Sequence, residues 1–209
     1  MTFDQFEGVF WDLWYRGQTE EEKLRAWFPA KRPTQMPEEF LQYLWLVSCV
    51  RDSIVVEIGV KDGHTRRFYE ELLGCAIYIG VDINDLPGVD VVGDSTDPGT
   101  VEKIKALIPK RAGKPDIIFI DGDHSKDAVR KDYELYKDLV GSRGFLALHD
   151  THHDHAEYCD GAARLWPELE QYYERTWDIF HYCPYMPKAA GLVNVRKQCG
   201  IGVIQMGGG

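Results

Sequence analysis

Ile54-Val55-Val56-Glu57-Ile58 is a short, mostly β-branched run that stops at Gly59 and passes through Val60-Lys61-Asp62-Gly63-His64-Thr65 into a polar stretch. A run this short and this apolar reads as a buried strand of a parallel sheet. Glycines directly after such a strand let the backbone turn sharply and approach a ligand closely. By itself, Gly-x-x-x-Gly is equally well a plain structural turn. It is not the Gly-x-Gly-x-x-Gly of dinucleotide-binding proteins, because Lys61 and His64 stand where the second and third glycines would fall. No Gly-Lys-Ser/Thr phosphate loop occurs in the chain either.

The pattern repeats on both sides of this stretch. Upstream, Pro37 to Val50 predicts a helix, with proline in its first turn and Phe40, Leu41, Leu44, Trp45 and Val47 along an apolar stripe. Downstream, the sequence predicts a helix from Asp62 to Leu73, strands at Ala76–Val81 and Val89–Val92, and a helix at Thr100–Ile108. Then follow a strand at Asp116–Ile120, a helix at Ser125–Val140, a strand at Gly144–Leu148 and a helix at Gly161–Tyr173. Thr176–Tyr182 and Ile201–Met206 read as two late strands. Strands alternating with helices of this length predict an α/β, doubly wound, mostly parallel sheet with right-handed crossovers.

Residues 1–36 read as an aromatic-rich helical extension with Trp11, Trp14, Tyr15 and Trp27, ahead of a single domain over 37–209. Within it, Thr19 and Glu22 have the spacing of a capping box for a helix reaching Trp27, before the turn-rich Pro29, Pro33 and Pro37.

In an open α/β sheet, ligands sit beyond the carboxyl ends of the strands. The residues just past the first five strands are Glu57 and Gly59, Asp82, Asp94, Asp121, and His149 with Asp150. One acidic strand end is unremarkable and often only a loop or helix cap. A whole rim of them is better explained by a binding site. Asp82, about 20 residues beyond the glycine turn, is placed to accept two hydroxyls of a ribose. Val92-Gly93-Asp94-Ser95-Thr96 lies where an adenine would reach, although Asp94 alternatively caps a turn before Pro98-Gly99.

The most specific signals are Ile118-Phe119-Ile120-Asp121-Gly122-Asp123-His124-Ser125 and Gly144-Phe145-Leu146-Ala147-Leu148-His149-Asp150. Together with Glu-Ile-Gly-x-x-x-Gly and Val-Asp, in this order and spacing, they resemble the class I, Rossmann-type SAM-dependent methyltransferases. The branch with cephalosporin-hydroxylase-like and macrocin-type O-methyltransferases is the nearest in pattern. The resemblance covers Ile54 to Asp150 and extends to the strand Gly200–Met206. It implies a seven-stranded sheet with its last strand antiparallel. It implies S-adenosyl-L-methionine as cofactor, with Glu57, Gly59 and Gly63 on its methionine part, Asp82 on the ribose, Asp94 and Ser95 near the adenine, and Asp121 at the same site. Lys61 departs from the family, many members of which carry a third glycine there. The stretch 183–199 and the tryptophan-rich N-terminus match nothing in the family and are left as substrate lid or dimer contact.

Methyl transfer to a hydroxyl needs the two reactants held near attack distance and the hydroxyl made nucleophilic. A general base does this, and so does a divalent cation. By position, the metal-dependent relatives imply Asp121, His149 and Asp150 as metal ligands. Carboxylates alone would suit Mg²⁺ or Ca²⁺, whereas histidine shifts the preference toward Mn²⁺ or another transition metal. Alternatively His149 is itself the base. His124 is the other candidate base, with Asp123 to orient its ring; the bland alternative makes it a helix-start residue capped by Ser125. The catalytic set is therefore Asp121, His124 and His149.

His149-Asp150-Thr151-His152-His153-Asp154-His155 also invites a zinc-hydrolase reading, His-x-His-x-Asp-His, but Asp150 occupies a position that motif gives to histidine. Otherwise the cluster is a solvated loop at the site mouth. The aromatics from Trp166 to Tyr185 read as core or lid.

The formal charge of -10 opposes a phosphate backbone, and Lys31-Arg32, Arg66-Arg67, Lys110-Arg111 and Arg196-Lys197 are isolated pairs. The expected partner is a small-molecule or glycan substrate, with no nucleic acid and no membrane, and the aromatic N-terminus offers a homo-oligomer surface. Five scattered cysteines without a CxxC pair point to buried thiols in the cytoplasm and to neither a disulfide framework nor a thiolate zinc site. The leading function is O-methylation, with or without metal. The alternatives are a metal-independent methyltransferase acting on nitrogen or another acceptor, and a non-catalytic cofactor-binding scaffold.

Overall fold

The computed structural model describes residues 1–19, 35–152, 160–180 and 200–207. Helix α1 (Phe3–Tyr15) starts at Thr2, whose hydroxyl accepts from Gln5 N while the Gln5 side chain accepts from Thr2 N. This capping box precedes a helical stripe of Phe6, Phe10, Leu13 and Trp14, all buried. It is a signal the sequence reading passed over. The helix expected over Thr19–Trp27 lies, from residue 20 on, outside the described residues.

Helix α2 (Pro37–Val47) stops three residues before the expected Val50, and Ser48 Oγ donates back to the Trp45 carbonyl. Strand β1 (Ile54–Ile58) follows. The helix expected from Asp62 contracts to a short π-helix at Phe68–Leu72, where Leu73 N donates five residues back to Phe68 O. The residues before it are taken up by the turn: Gly59, Lys61 and Gly63 have φ of 86°, 51° and 69°. Left-handed backbone at three places does not propagate a right-handed helix.

Next come β2 (Ile77–Asp82), a two-residue β3 (Val91–Val92), α3 (Pro98–Leu107) and β4 (Ile117–Ile120). After them come α4 (Lys126–Tyr136), β5 (Phe145–His149), α5 (Gly161–Tyr172), β6 (Thr176–Ile179) and β7 (Ile201–Gln205). Helix α4 ends short of the expected Val140 because the chain tightens at Tyr136, whose carbonyl accepts from both Leu139 and Val140.

The seven strands lie in the order β3-β2-β1-β4-β5-β7-β6. Strands β1 to β5 pair in parallel, and β7 runs antiparallel to both β5 and β6. This is the doubly wound, mostly parallel sheet with an antiparallel last strand that the sequence implied. The strand order reverses between β1 and β4, so a crevice opens at their carboxyl ends.

Alternation along the strands divides the core between two faces. Ile54, Val56 and Ile58 pack with Ile118, Ile120, Leu146 and Leu148 against α3, α4 and α5. Val55, Phe119, Phe145 and Ala147 pack on the other face against α1, α2 and the π-helix, in a cluster rich in aromatic rings. The N-terminal helix is thus part of this second core layer. Within the aromatic N-terminus offered as a dimer surface, Trp14 is buried together with Phe6 and Phe10, whereas Tyr15 and Phe3 remain exposed.

Of the two cysteines within the described residues, Cys49 is exposed and Cys75 half-buried, so neither is the buried thiol expected. Cys49 falls in the turn that ends α2, where its thiol donates back to the Leu46 carbonyl. Among the described residues, no helix is long and apolar enough to cross a membrane.

Candidate active site

A cleft of about 950 Å³ lies over the carboxyl ends of β1, β2, β4 and β5 and reaches the loop after β3. Glu57, Gly59, Asp82, Asp94, Ser95, Asp121, His124, His149 and Asp150 all line it. Gly63 stands just behind. Its added Cβ would lie 2.5 Å from the Pro87 carbonyl oxygen, and one at Gly59 would lie 2.1 Å from that of Asp121. Both glycines are therefore required by the chain's own packing, whether or not a ligand is bound. Lys61 adopts the left-handed backbone that glycine favours.

Glu57 points to the aromatic face of the sheet, because it shares the pleat of Val55. Its Oε2 accepts from Thr65 Oγ1 at 2.6 Å and from the Tyr78 hydroxyl. Oε1 is buried with no hydrogen-bond partner. Burial pushes this carboxyl up to about 7, against the two hydroxyl bonds, and the nearby Asp121 adds to the rise. Asp82 at the end of β2 accepts from Lys61 N at 2.9 Å through Oδ2 and from Asn84 N at 2.9 Å through Oδ1. It is fixed by the glycine turn on one side and by its own loop on the other. Asp94 Oδ1 accepts from Thr96 N and Thr96 Oγ1, both at 2.8 Å, which holds it below the usual carboxylate range. Asp94 does close a turn, but the cap of α3 is Asp97, which accepts from Gly99 N.

The other end of the cleft gathers side chains from β4, β5 and the loops after them. His124 Nδ1 lies 2.6 Å from Asp150 Oδ2, and its Nε2 lies 3.9 Å from Asp121 Oδ1. The Asp150 bond, foremost, raises the imidazole above its ordinary range, with Asp121 assisting and burial opposing. His149 Nδ1 lies 3.0 Å from Asp121 Oδ1 and 3.3 Å from Asp150 Oδ1. The four residues proposed from sequence for base and metal thus meet within one small space. The orienting partner of His124 is Asp150, not Asp123, whose Oδ1 is turned back onto Ser125 N at 2.8 Å. Asp121, His124 and Asp150 offer three ligand atoms within 4.8 Å of one another. The trio expected from the sequence has His149 in place of His124.

Four polar residues escaped the sequence reading. Gln35, immediately before α2, donates its Nε2 to Asp121 Oδ2 at 2.6 Å across 86 positions of sequence. Thr65 and Tyr78 support Glu57, and Asp132 supports Ser95 at 3.1 Å. Only Thr65 carried a local signal, because it closes the glycine turn.

His152, from the histidine-rich loop, pairs through Nε2 with Asp178 at 2.7 Å and its ring lies against Phe180, so it faces β6. His153, Asp154, His155, Tyr182 and the stretch 183–199 lie outside the described residues.

Residues 56–151 match the sequence family described as "Methyltransferase domain". No curated protein matches the chain significantly. Among solved structures, one similar fold is MycE, a methyltransferase from the mycinamycin biosynthetic pathway in complex with Mg and SAH, at 17% identity and TM-score 0.54. That match takes in 98% of this chain and 53% of the other, so the chain spans about half the length of MycE. The O-methyltransferase TomG from Streptomyces achromogenes, in complex with SAM, matches at 11% identity and TM-score 0.54 over 99% of this chain and 100% of that one. An O-methyltransferase from Bacillus cereus in complex with SAH matches at 14% identity and TM-score 0.52, over 97% and 90% of the two chains. At these identities the likeness speaks for the fold. Residues 56–151 thus resemble the methyltransferase-domain family, and the chain shares its fold with these methyltransferases.

Proposed function

We propose that the chain binds S-adenosyl-L-methionine along the cleft and methylates a hydroxyl of a small molecule or glycan at the end where Asp121, His124, His149 and Asp150 meet. The observation that carries this reading is the convergence itself. Two separately held acids, Asp82 and Asp94, stand at one end of a single cleft, and a paired histidine–carboxylate group stands at the other.

The residues fit the donor. Glu57 Oε1 is a buried acceptor without a partner, suited to an ammonium group at the methionine end. Asp82, held by two backbone N–H groups, keeps lone pairs for the ribose hydroxyls. Bound there, the donor supplies an electrophilic methyl group on a sulfonium, and a divalent cation at the other end would acidify a hydroxyl. The chain's own part is orientation and proton transfer. If His124 Nδ1–H donates to Asp150, the Nε2 lone pair is left to take the acceptor's proton. Asp150 raises the basicity of that nitrogen and stabilises the imidazolium that results.

The mixed donor set fits a metal as well. Two carboxylates with histidine nitrogen favour Mn²⁺ or a later transition ion over Mg²⁺. A metal-free reaction, on oxygen or nitrogen, is the second reading, and the short His124–Asp150 contact favours it by supplying a base unaided.

Calorimetric titration with S-adenosylhomocysteine tests the donor site. The expected result is micromolar binding by wild type and at least a 10-fold loss in Asp82→Ala, the cost of removing a charged hydrogen-bonding partner. An unbound wild type, or equal affinity in Asp82→Ala, overturns it.

A further inference from the structure

Behind the cleft wall at Ser95 lies Asp132, on the inner face of α4 and fully buried. Ser95 lines the cleft, and its hydroxyl is 3.1 Å from Asp132 Oδ2. One turn further along α4, the Tyr136 hydroxyl donates to the Ser95 carbonyl at 3.0 Å. The helix therefore grips this one cleft residue twice, by its backbone and by its side chain. The second carboxyl oxygen, Asp132 Oδ1, is buried with no hydrogen-bond partner.

The charged groups facing Asp132 are Asp94 on the loop after β3, Asp123 on the loop after β4, and Lys131 on its own helix. Two of the three are acids, and Lys131 lines the cleft. A buried carboxylate with one hydrogen bond and no paired cation is costly, and it lowers that cost by taking up a proton.

We propose that Asp132 is a positioning residue for the purine end of the donor: its neutral carboxyl donates to Ser95 Oγ and turns the Ser95 O–H into the cleft, toward a ring nitrogen of the adenine. The inference rests on the donor-site reading above. An ionised carboxylate can only accept. Once Asp132 loses its proton, the Ser95 O–H swings back to it, and Ser95 presents only lone pairs to a ring nitrogen that also carries one. Burial, foremost, and then the acids Asp94 and Asp123 push Asp132 up to about 7, against the Ser95 bond and Lys131. The reversal thus falls in the neutral range, and purine recognition weakens as pH rises through it.

Glu57, at the methionine end, titrates in the same range. The comparison is therefore made between proteins that all keep Glu57. Asp132→Asn is the informative change, because its amide N–H donates to Ser95 Oγ at every pH and so stands in for the neutral acid. S-adenosylhomocysteine is titrated calorimetrically into wild type, Asp132→Asn and Ser95→Ala at about pH 6 and about pH 8.5, which bracket the range. The expected result is equal affinity of wild type and Asp132→Asn at the lower pH. At the higher pH, Asp132→Asn should bind about fivefold tighter, the worth of one neutral hydrogen bond. A purely structural role predicts no gain at any pH. Ser95→Ala should bind more weakly at the lower pH and lose the same fivefold pH dependence, which carries the test if Asp132→Asn fails to fold. An identical pH ratio in wild type and both variants overturns the inference and leaves the donor site standing. Failure of wild type to bind at either pH overturns the donor site itself, and this inference with it.

Discussion

The two ends of the cleft are built in different ways. At the proposed donor end, Asp82 and Asp94 are held by backbone N–H groups no more than about one turn or one strand away, and Gly59 and Gly63 shape the floor. At the reaction end, Asp121, His124, His149 and Asp150 hold one another, with Gln35 reaching in from the N-terminal region. Backbone-held acids are fixed as soon as their loop folds. Side chains that hold one another are fixed only when all are present, and their charges stay coupled. The first arrangement suits binding a constant ligand, and the second suits moving a proton.

Substitutions at the two ends should therefore fail differently. The largest effect is expected from Gly59→Ala. A Cβ there meets the Asp121 carbonyl at 2.1 Å on a backbone with φ of 86°. The loss should be about 4 kcal/mol or more, the range of a forced backbone clash, read as a collapse in Tm and in S-adenosylhomocysteine binding together. A soluble variant that kept both would show that the donor end is looser than its backbone contacts imply.

Glu57→Gln comes next. Glu57 titrates at about 7 in the folded protein, above its ordinary 4.5. The folded state thus holds the proton more tightly, and this contribution is complete below the ordinary carboxyl range and lost as pH rises through about 7. The substitution removes that loss. Its stability relative to wild type should improve between about pH 5 and about pH 8 by at most about 3 kcal/mol, measured by urea unfolding at both values. A constant difference would show that Glu57 is ionised throughout.

The smallest effect is expected from Gln35→Leu, which removes one bond to Asp121 without touching the donor end. Mn²⁺ binding should weaken about 10-fold, as losses of a ligand's supporting hydrogen bond do, with S-adenosylhomocysteine binding unchanged. If donor affinity fell instead, the two ends would not be separable.

The same contrast explains what was legible in the sequence. The strands β1, β2, β4 and β5 show as apolar runs, and the residue after each is readable by position, so the rim of acids was visible at once. The doubly wound, mostly parallel sheet followed from strand–helix alternation, and its antiparallel last strand from the family pattern. What the sequence did not disclose is nonlocal or conformational. The π-helix is short because three left-handed residues precede it, and helix patterning does not register φ. Gln35 reaches Asp121 over 86 positions, and no spacing rule spans that distance. Asp132 looks like one more acid on a charged helix until α4 is docked and turns it inward. His124 was read with its sequence neighbour Asp123, whereas packing supplied Asp150 from the adjacent strand end.

The placement of β7 has a consequence for the order of events during synthesis. It is the last of the described strands in sequence, yet it sits between β5 and β6. Strand β6 leaves the ribosome first but has no edge to join until β7 arrives. Helix α2 waits as well, because Glu39 Oε2 accepts from Gly200 N across 161 positions. The nascent chain can lay down β1 to β5, which carry both ends of the cleft, before the strand that covers β5 is made. The β5 side of the sheet then closes in one late step of high contact order, when β7 pairs with β5 and β6. During that interval the edge of β5 that β7 will cover is an unpaired row of backbone donors and acceptors, open to strand addition by another chain.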